Sequence, residues 1–176
     1  MAKHRNNKTA AAGFTLIELL VYVMVFSLLT VALVSMVLWA VRSATKARAV
    51  RETIDNTEYA LAVLTREIQE ARSVYTPTST STQLSLETAL GLPSDEVTTF
   101  VDIFICGTGL CLKREAQDPF PITAGAVNVR QLRFSTIGTS TPSVHIDLEL
   151  AYDNVQSRPE YNAAVRLQTT ATVKGY

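Results

Sequence analysis

From Phe14 to Val41 the chain runs for 28 residues with Glu18 and Tyr22 as its only ionisable side chains. A helix needs about 20 apolar residues to cross the hydrocarbon core of a bilayer, so this run can span with some tilt. A core helix of a water-soluble domain shows a polar face. Here Leu16, Leu19, Leu20, Val23, Phe26, Leu29, Leu33, Val37 and Trp39 go all the way round, which is the pattern of a helix surrounded by lipid or by other apolar helices. A cleaved secretory signal has a shorter apolar region, with its small-residue site after it. In this chain the small residues Ala10-Ala11-Ala12-Gly13 come before the run.

Charge supports a membrane-anchored reading. Lys3, Arg5 and Lys8 precede the run, and Arg42, Lys46, Arg48 and Arg51 follow it. Basic residues at both ends suit the two interfaces but do not fix the orientation. Glu52, Asp55 and Glu58 partly balance the second cluster, which favours the amino end on the cytoplasmic side. The net charge of the 176-residue chain is zero. Nucleic acid is therefore not expected as a partner, because it calls for a basic face.

The segment Gly13-Phe14-Thr15-Leu16-Ile17-Glu18 resembles the start of type IV prepilins and pseudopilins. Their precursors carry a short basic leader, a glycine, and Phe-Thr-Leu-Ile/Leu-Glu opening an apolar helix. The resemblance implies cleavage by a prepilin peptidase after Gly13 and N-methylation of the new amino terminus at Phe14. It also implies that Glu18 pairs with the α-amine of Phe14 on a neighbouring subunit and so sets register in a filament. A carboxylate in a spanning segment costs about 2.5–3.5 kcal/mol on insertion scales, so it calls for a partner. Read without the motif, Glu18 is an interfacial carboxylate that snorkels to the headgroups.

No proline or glycine occurs between Phe14 and Thr76. Val50, Ile54, Leu61, Leu64, Ile68 and Ala71 recur at helical spacing, with Thr57 as a polar member of the stripe. One helix is therefore expected to continue to about Ser73, its second half packing on a globular head. The turn residues Thr76-Pro77 and the Ser/Thr run 78–82 stop it. Beyond, the period changes to two in 98–106, 110–115, 127–134, 144–152 and 165–173, the pattern of an antiparallel sheet. The expected architecture is α+β and pilin-like. A basic leader covers 1–13, a transmembrane or filament-core helix 14–41, its amphipathic continuation 42–75, and an antiparallel β head 76–176.

Cys106 and Cys111 flank Gly107-Thr108-Gly109-Leu110. A two-residue turn at Thr108-Gly109 would set the two cysteines opposite each other as a non-hydrogen-bonded pair. A disulfide, a reduced pair and metal ligation remain open, the first favoured in an exported head. No catalytic constellation stands out, and no metal or cofactor is expected. His145, Asp147 and Glu149 alternate along one strand, where a solvated charged face is expected. Asp95-Glu96 and Asp153-Asn154 could contact calcium but supply no spaced ligand set.

Within the resembled family, the helix end Leu64 to Arg72 is similar to that of the J-type pseudopilin of type II secretion and the W-type minor pilin. Many major pilins have a mid-helix proline where this chain has Ser35, and K-type tip subunits typically lack the glutamate that stands here at Glu18. The resemblance thus implies a minor structural subunit rather than an enzyme. Its partners would be the prepilin peptidase, other pilin or pseudopilin subunits, an inner-membrane assembly platform and membrane lipid. It would reside in the bacterial inner membrane and then in the filament. The other readings are a major pilin or competence DNA-uptake pseudopilin, and a single-pass anchor displaying a binding or enzymatic head.

Overall fold

The computed structural model describes residues 13–89, 98–115, 117–138, 142–154 and 157–174. The basic leader up to Ala12 and the Asp95-Glu96 pair lie outside them. The chain is α+β. One long helix, α1 (Leu16–Glu70), is followed by β1 (Ser73–Val74), β2 (Leu84–Thr88), β3 (Thr99–Cys106), β4 (Gly109–Arg114), β5 (Phe120–Pro121), β6 (Val127–Ile137), β7 (Ser143–Tyr152) and β8 (Ala164–Thr172). Two compact units divide it, residues 1–42 and 43–176.

In the first unit every described residue is exposed. Large apolar side chains such as Trp39, 72 % accessible, point outward around the whole helix. An apolar helix that buries nothing of itself in its own domain needs lipid or other apolar helices around it.

In the second unit the rest of α1 packs through Ala49, Thr53, Thr57, Ala60, Leu61, Leu64, Glu67 and Ile68. The stripe thus begins one residue earlier than the expected Val50 and Ile54, which are half-buried. Small Ala49 and Ala60 allow close approach. The buried hydroxyls of Thr53 and Thr57 are satisfied within the helix, donating to the carbonyls of Ala49 (2.8 Å) and Thr53 (2.6 Å). A threonine that bonds its own preceding turn can be buried without an outside partner.

The helix ends at Glu70, short of Ser73, because the backbone there finds sheet partners. The Arg72 amide donates to the Glu87 carbonyl at 2.7 Å, and Ser73 and Val74 pair with Glu87 and Leu86. The sheet also differs from the single one expected. The described strands form two antiparallel sheets, one in the order β1-β2-β3-β4-β5 and one in the order β6-β7-β8. The β3–β4 hairpin tip links them, its Thr108 carbonyl accepting from the Val129 amide at 2.7 Å. Leu86, Ile103 and Leu112 from one sheet and Ile146, Leu148 and Leu150 from the other join Leu64 and Ile68 in one core.

Candidate functional site at the start of the apolar helix

Gly13, Phe14 and Thr15 precede the first helical residue, Leu16. Thr15 is the cap. Its hydroxyl accepts from the Glu18 amide at 3.3 Å, and its carbonyl accepts from the amides of Glu18 (3.1 Å) and Leu19 (3.2 Å). Thr15-x-x-Glu18 is the capping-box spacing, which satisfies a first-turn amide that would otherwise be orphaned. This signal was readable in the sequence beside the glycine–phenylalanine motif. It fixes the helix start two residues past the Gly13–Phe14 bond, which stays outside the helical hydrogen bonding.

Gly13 is exposed, and a Cβ built on it would meet no atom within 4 Å. The chain's own packing therefore places no demand for glycine at this position, as it would in a crowded or left-handed site. Phe14 is 75 % accessible, its ring edge-on to Tyr22 with centroids 6.1 Å apart. Glu18 lies exposed in the first turn of α1. A carboxylate there also meets the positive end of the helix dipole. Gly13 and Phe14 thus sit just ahead of one exposed apolar helix, and Glu18 lies in its first turn.

Residues 8–38 match the family model of the prokaryotic N-terminal methylation motif. The chain carries a type IV prepilin-like motif. No curated protein and no solved structure matches the chain. The motif begins ahead of Gly13 and extends well into the apolar helix, so it takes in Phe14 and Glu18. It implies processing by a prepilin peptidase and assembly with other pilin-type subunits. The apolar helix behind it fits the membrane anchor of a prepilin-type protein.

The second pair of residues singled out in the sequence, Cys106 and Cys111, lies in the other unit. They form a disulfide with Cα atoms 5.7 Å apart, but not as directly opposed residues. Gly107 and Thr108 make the two-residue turn, so Cys106 pairs with Gly109 and Cys111 with Phe104. The sequence offered two glycines for the turn. Gly107 takes φ +62°, at the first turn position where a II′ hairpin places glycine. Gly109 sits in β4, where a Cβ would come within 2.9 Å of the Thr123 hydroxyl. The register shifts by two, which keeps both cysteines on one face as diagonal neighbours.

The charged face of β7 also departs from expectation. Asp147 is buried rather than solvated, because flanking strands cover it. Arg166 Nε donates to it at 2.8 Å and Gln131 Nε2 at 2.8 Å. The Arg166 hydrogen bond holds its carboxyl well down, at about 2. His145 Nδ1 lies 3.1 Å from the Thr170 hydroxyl. Asp153 accepts from Asn128, and Asn154 bonds both backbone groups of Arg158. These side chains are committed to local structure. Among the described residues, no group of three or more His, Cys, Asp or Glu is placed to hold a metal ion.

Sequence reasoning missed the ion pair of Glu67 with Arg114. Arg114 Nη2 donates to Glu67 Oε1 at 2.7 Å. The pair lines an apolar groove of about 360 Å³ between Tyr59 and Val63 of α1 and Phe120 and Ile122 near β5.

Proposed function

We propose that the chain is a minor pilin or minor pseudopilin, akin to the J- and W-type subunits, whose work is assembly and not catalysis. The observation that carries this reading is the methylation motif over 8–38, on a helix exposed at every described residue of the first unit. The precursor waits in the inner membrane with its amino end cytoplasmic and its head outside. A prepilin peptidase hydrolyses the Gly13–Phe14 bond, leaving a carboxylate on Gly13 and a free amine on Phe14. A methyl donor then alkylates that amine. The helix start two residues further on leaves the scissile bond outside the helix, where a protease cleft can take it, and the unconstrained Gly13 fits a requirement set by the enzyme.

Glu18 then pairs with the amine of a neighbouring subunit, and lipid is exchanged for the apolar helices of the filament. The pairing removes the cost of a lone carboxylate at that depth. The Cys106–Cys111 disulfide supports a head in an oxidising compartment. The absence of proline from Phe14 to Thr76 favours a minor over a major subunit, and Glu18 argues against a K-type tip unit.

The test is the mass of the mature amino terminus after expression with the cognate prepilin peptidase. The expected product begins at N-methyl-Phe14. A chain that keeps Met1, or is cut after the apolar run, would leave a single-pass anchor or an exported domain instead.

A further inference from the structure

Strand β8 is paired on one side. At the two ends of its ladder with β7, the Tyr152 amide donates to the Ala163 carbonyl (2.9 Å) and the Val173 amide to the Pro142 carbonyl (3.0 Å). Between them the register runs from Ser143↔Thr172 to Ala151↔Ala164 without a bulge. An antiparallel ladder alternates hydrogen-bonded and non-hydrogen-bonded pairs. The odd-numbered residues of β8 therefore bond β7. The even-numbered residues, Ala164 to Thr172, turn their N–H and C=O groups to the opposite edge. No hydrogen bond among the described residues reaches those groups from that side.

The other edges are guarded. On β6 the Val129 and Phe134 amides are taken by the carbonyls of Thr108 and Ser81 (2.7 and 2.8 Å). β1 and β5 are two residues long, and β5 ends in Pro121. Sheets blunt their edges with such short strands, prolines, bulges and free charges. β8 has nine residues, no proline and one charge, Arg166, which Asp147 holds. Its core-side residues Val165, Leu167 and Thr169 are only half-buried, whereas Ile146, Leu148 and Leu150 beside them are fully buried.

We propose that the free edge of β8 accepts an extended segment of a partner protein as a fourth strand of this sheet. The unpaired backbone groups call for a strand. The side chains call for a proline-free one, with apolar residues beside Val165 and Leu167 and an acid that shares the exposed Arg166 guanidinium with Asp147. β7 already meets these demands on the opposite side, setting Leu150 against Val165, Leu148 against Leu167 and Glu149 against Arg166. The head alone presents this edge, whichever machine the chain serves.

The test is amide hydrogen exchange by NMR on the full chain in detergent micelles. The probe is a synthetic peptide of residues 143–152, SVHIDLELAY. A bound strand slows exchange at Arg166, Gln168 and Thr170 by about tenfold when nine-tenths of the sites are filled, and leaves Val165, Leu167 and Thr169 unchanged. Unchanged even-numbered amides at millimolar peptide overturn the proposal, as does slowing without the odd–even alternation. Thr170→Pro removes an outward donor and none that faces β7. It is expected to abolish the added protection with the odd-numbered amides still protected, and retained binding by that folded variant also overturns the proposal. If the variant loses its odd-numbered protection, the wild-type result alone decides.

Discussion

Arg114 Nη2 lies 2.7 Å from Glu67 Oε1 and joins α1 to the last residue of β4 across 47 positions of sequence. Glu67 is 7 % accessible, and burial, outweighing the attraction of Arg114, pushes its carboxyl above the usual range. The native state then holds its proton to higher pH than the unfolded chain. Its contribution to stability is greatest below about 4.5 and falls as pH rises through the native value. Glu67→Gln keeps an acceptor for Arg114 and removes the buried charge. Relative to wild type, this variant is expected to gain stability as pH rises above about 4.5, read as the shift in urea midpoint. Glu67→Ala, which leaves Arg114 unbonded, is expected to cost about 1.5–3 kcal/mol at neutral pH.

Asp147 titrates with the opposite sign. The Arg166 hydrogen bond lowers its carboxyl to about 2, so its contribution is present above the unfolded value of 3.8 and is lost as pH falls through about 2. Asp147→Asn is expected to be less stable than wild type at neutral pH. The two should converge as pH drops from about 4 to about 2. Urea midpoints at those pH values check this, and a difference that persists in strong acid would assign the effect to packing.

The buried face of α1 tests a different balance. Thr57 is fully buried with its hydroxyl satisfied by Thr53. Thr57→Val removes a bond made within the helix and keeps the shape, so a change within about 1 kcal/mol is expected. Leu64, also fully buried, belongs to the core that residues of both sheets share, and Leu64→Ala is expected to cost about 2–5 kcal/mol. Chemical denaturation of both variants in the same detergent gives the comparison.

These residues show what the sequence could and could not reveal. The helix and its apolar half were legible because period and length both follow from local composition, and the prepilin-like motif was legible because its parts are contiguous. The strands 99–106 and 143–152 were legible from alternation. The division into two sheets was not, since it depends on which edge meets which. The same holds for Glu67: a charged residue at a stripe position looks solvated until its partner, Arg114, arrives from a distant strand. Asp147 was misread for the same reason. The turn expected at Thr108-Gly109 lies one residue earlier, at Gly107-Thr108; Gly109 is instead a strand residue closely approached by Thr123, a tertiary contact that local composition does not reveal. At the amino end, Thr15 and Glu18 carried a local capping signal that the more conspicuous motif overshadowed.

The disulfide closes a loop with a sequence separation of five, and Cys111 is buried. A loop that short removes little entropy from the unfolded chain, about 2 kcal/mol by the chain-entropy relation. Reduction is therefore expected to lower the stability of the head by about that amount without unfolding it. A variant carrying Cys106→Ala and Cys111→Ala should match the reduced protein and be indifferent to reductant. Denaturation with and without reductant reads both.

At the helix start two roles of one residue can be separated. Glu18 offers its amide to the Thr15 cap and its carboxylate to the proposed filament contact. Thr15→Ala removes the hydroxyl acceptor and is expected to cost about 1 kcal/mol locally, seen as faster amide exchange at Glu18 and Leu19. The charge at Glu18 remains, and entry into filaments should be weakened at most in part. Glu18→Gln retains a side chain suited to the capping box, so the helix start should hold. It cannot form an ion pair with an amine. Its precursor should still be cleaved after Gly13 and methylated at Phe14, yet remain in the membrane fraction and be absent from sheared filaments. Normal incorporation of Glu18→Gln would reduce the carboxylate to an interfacial group, and a failure to be cleaved would place its role at the peptidase.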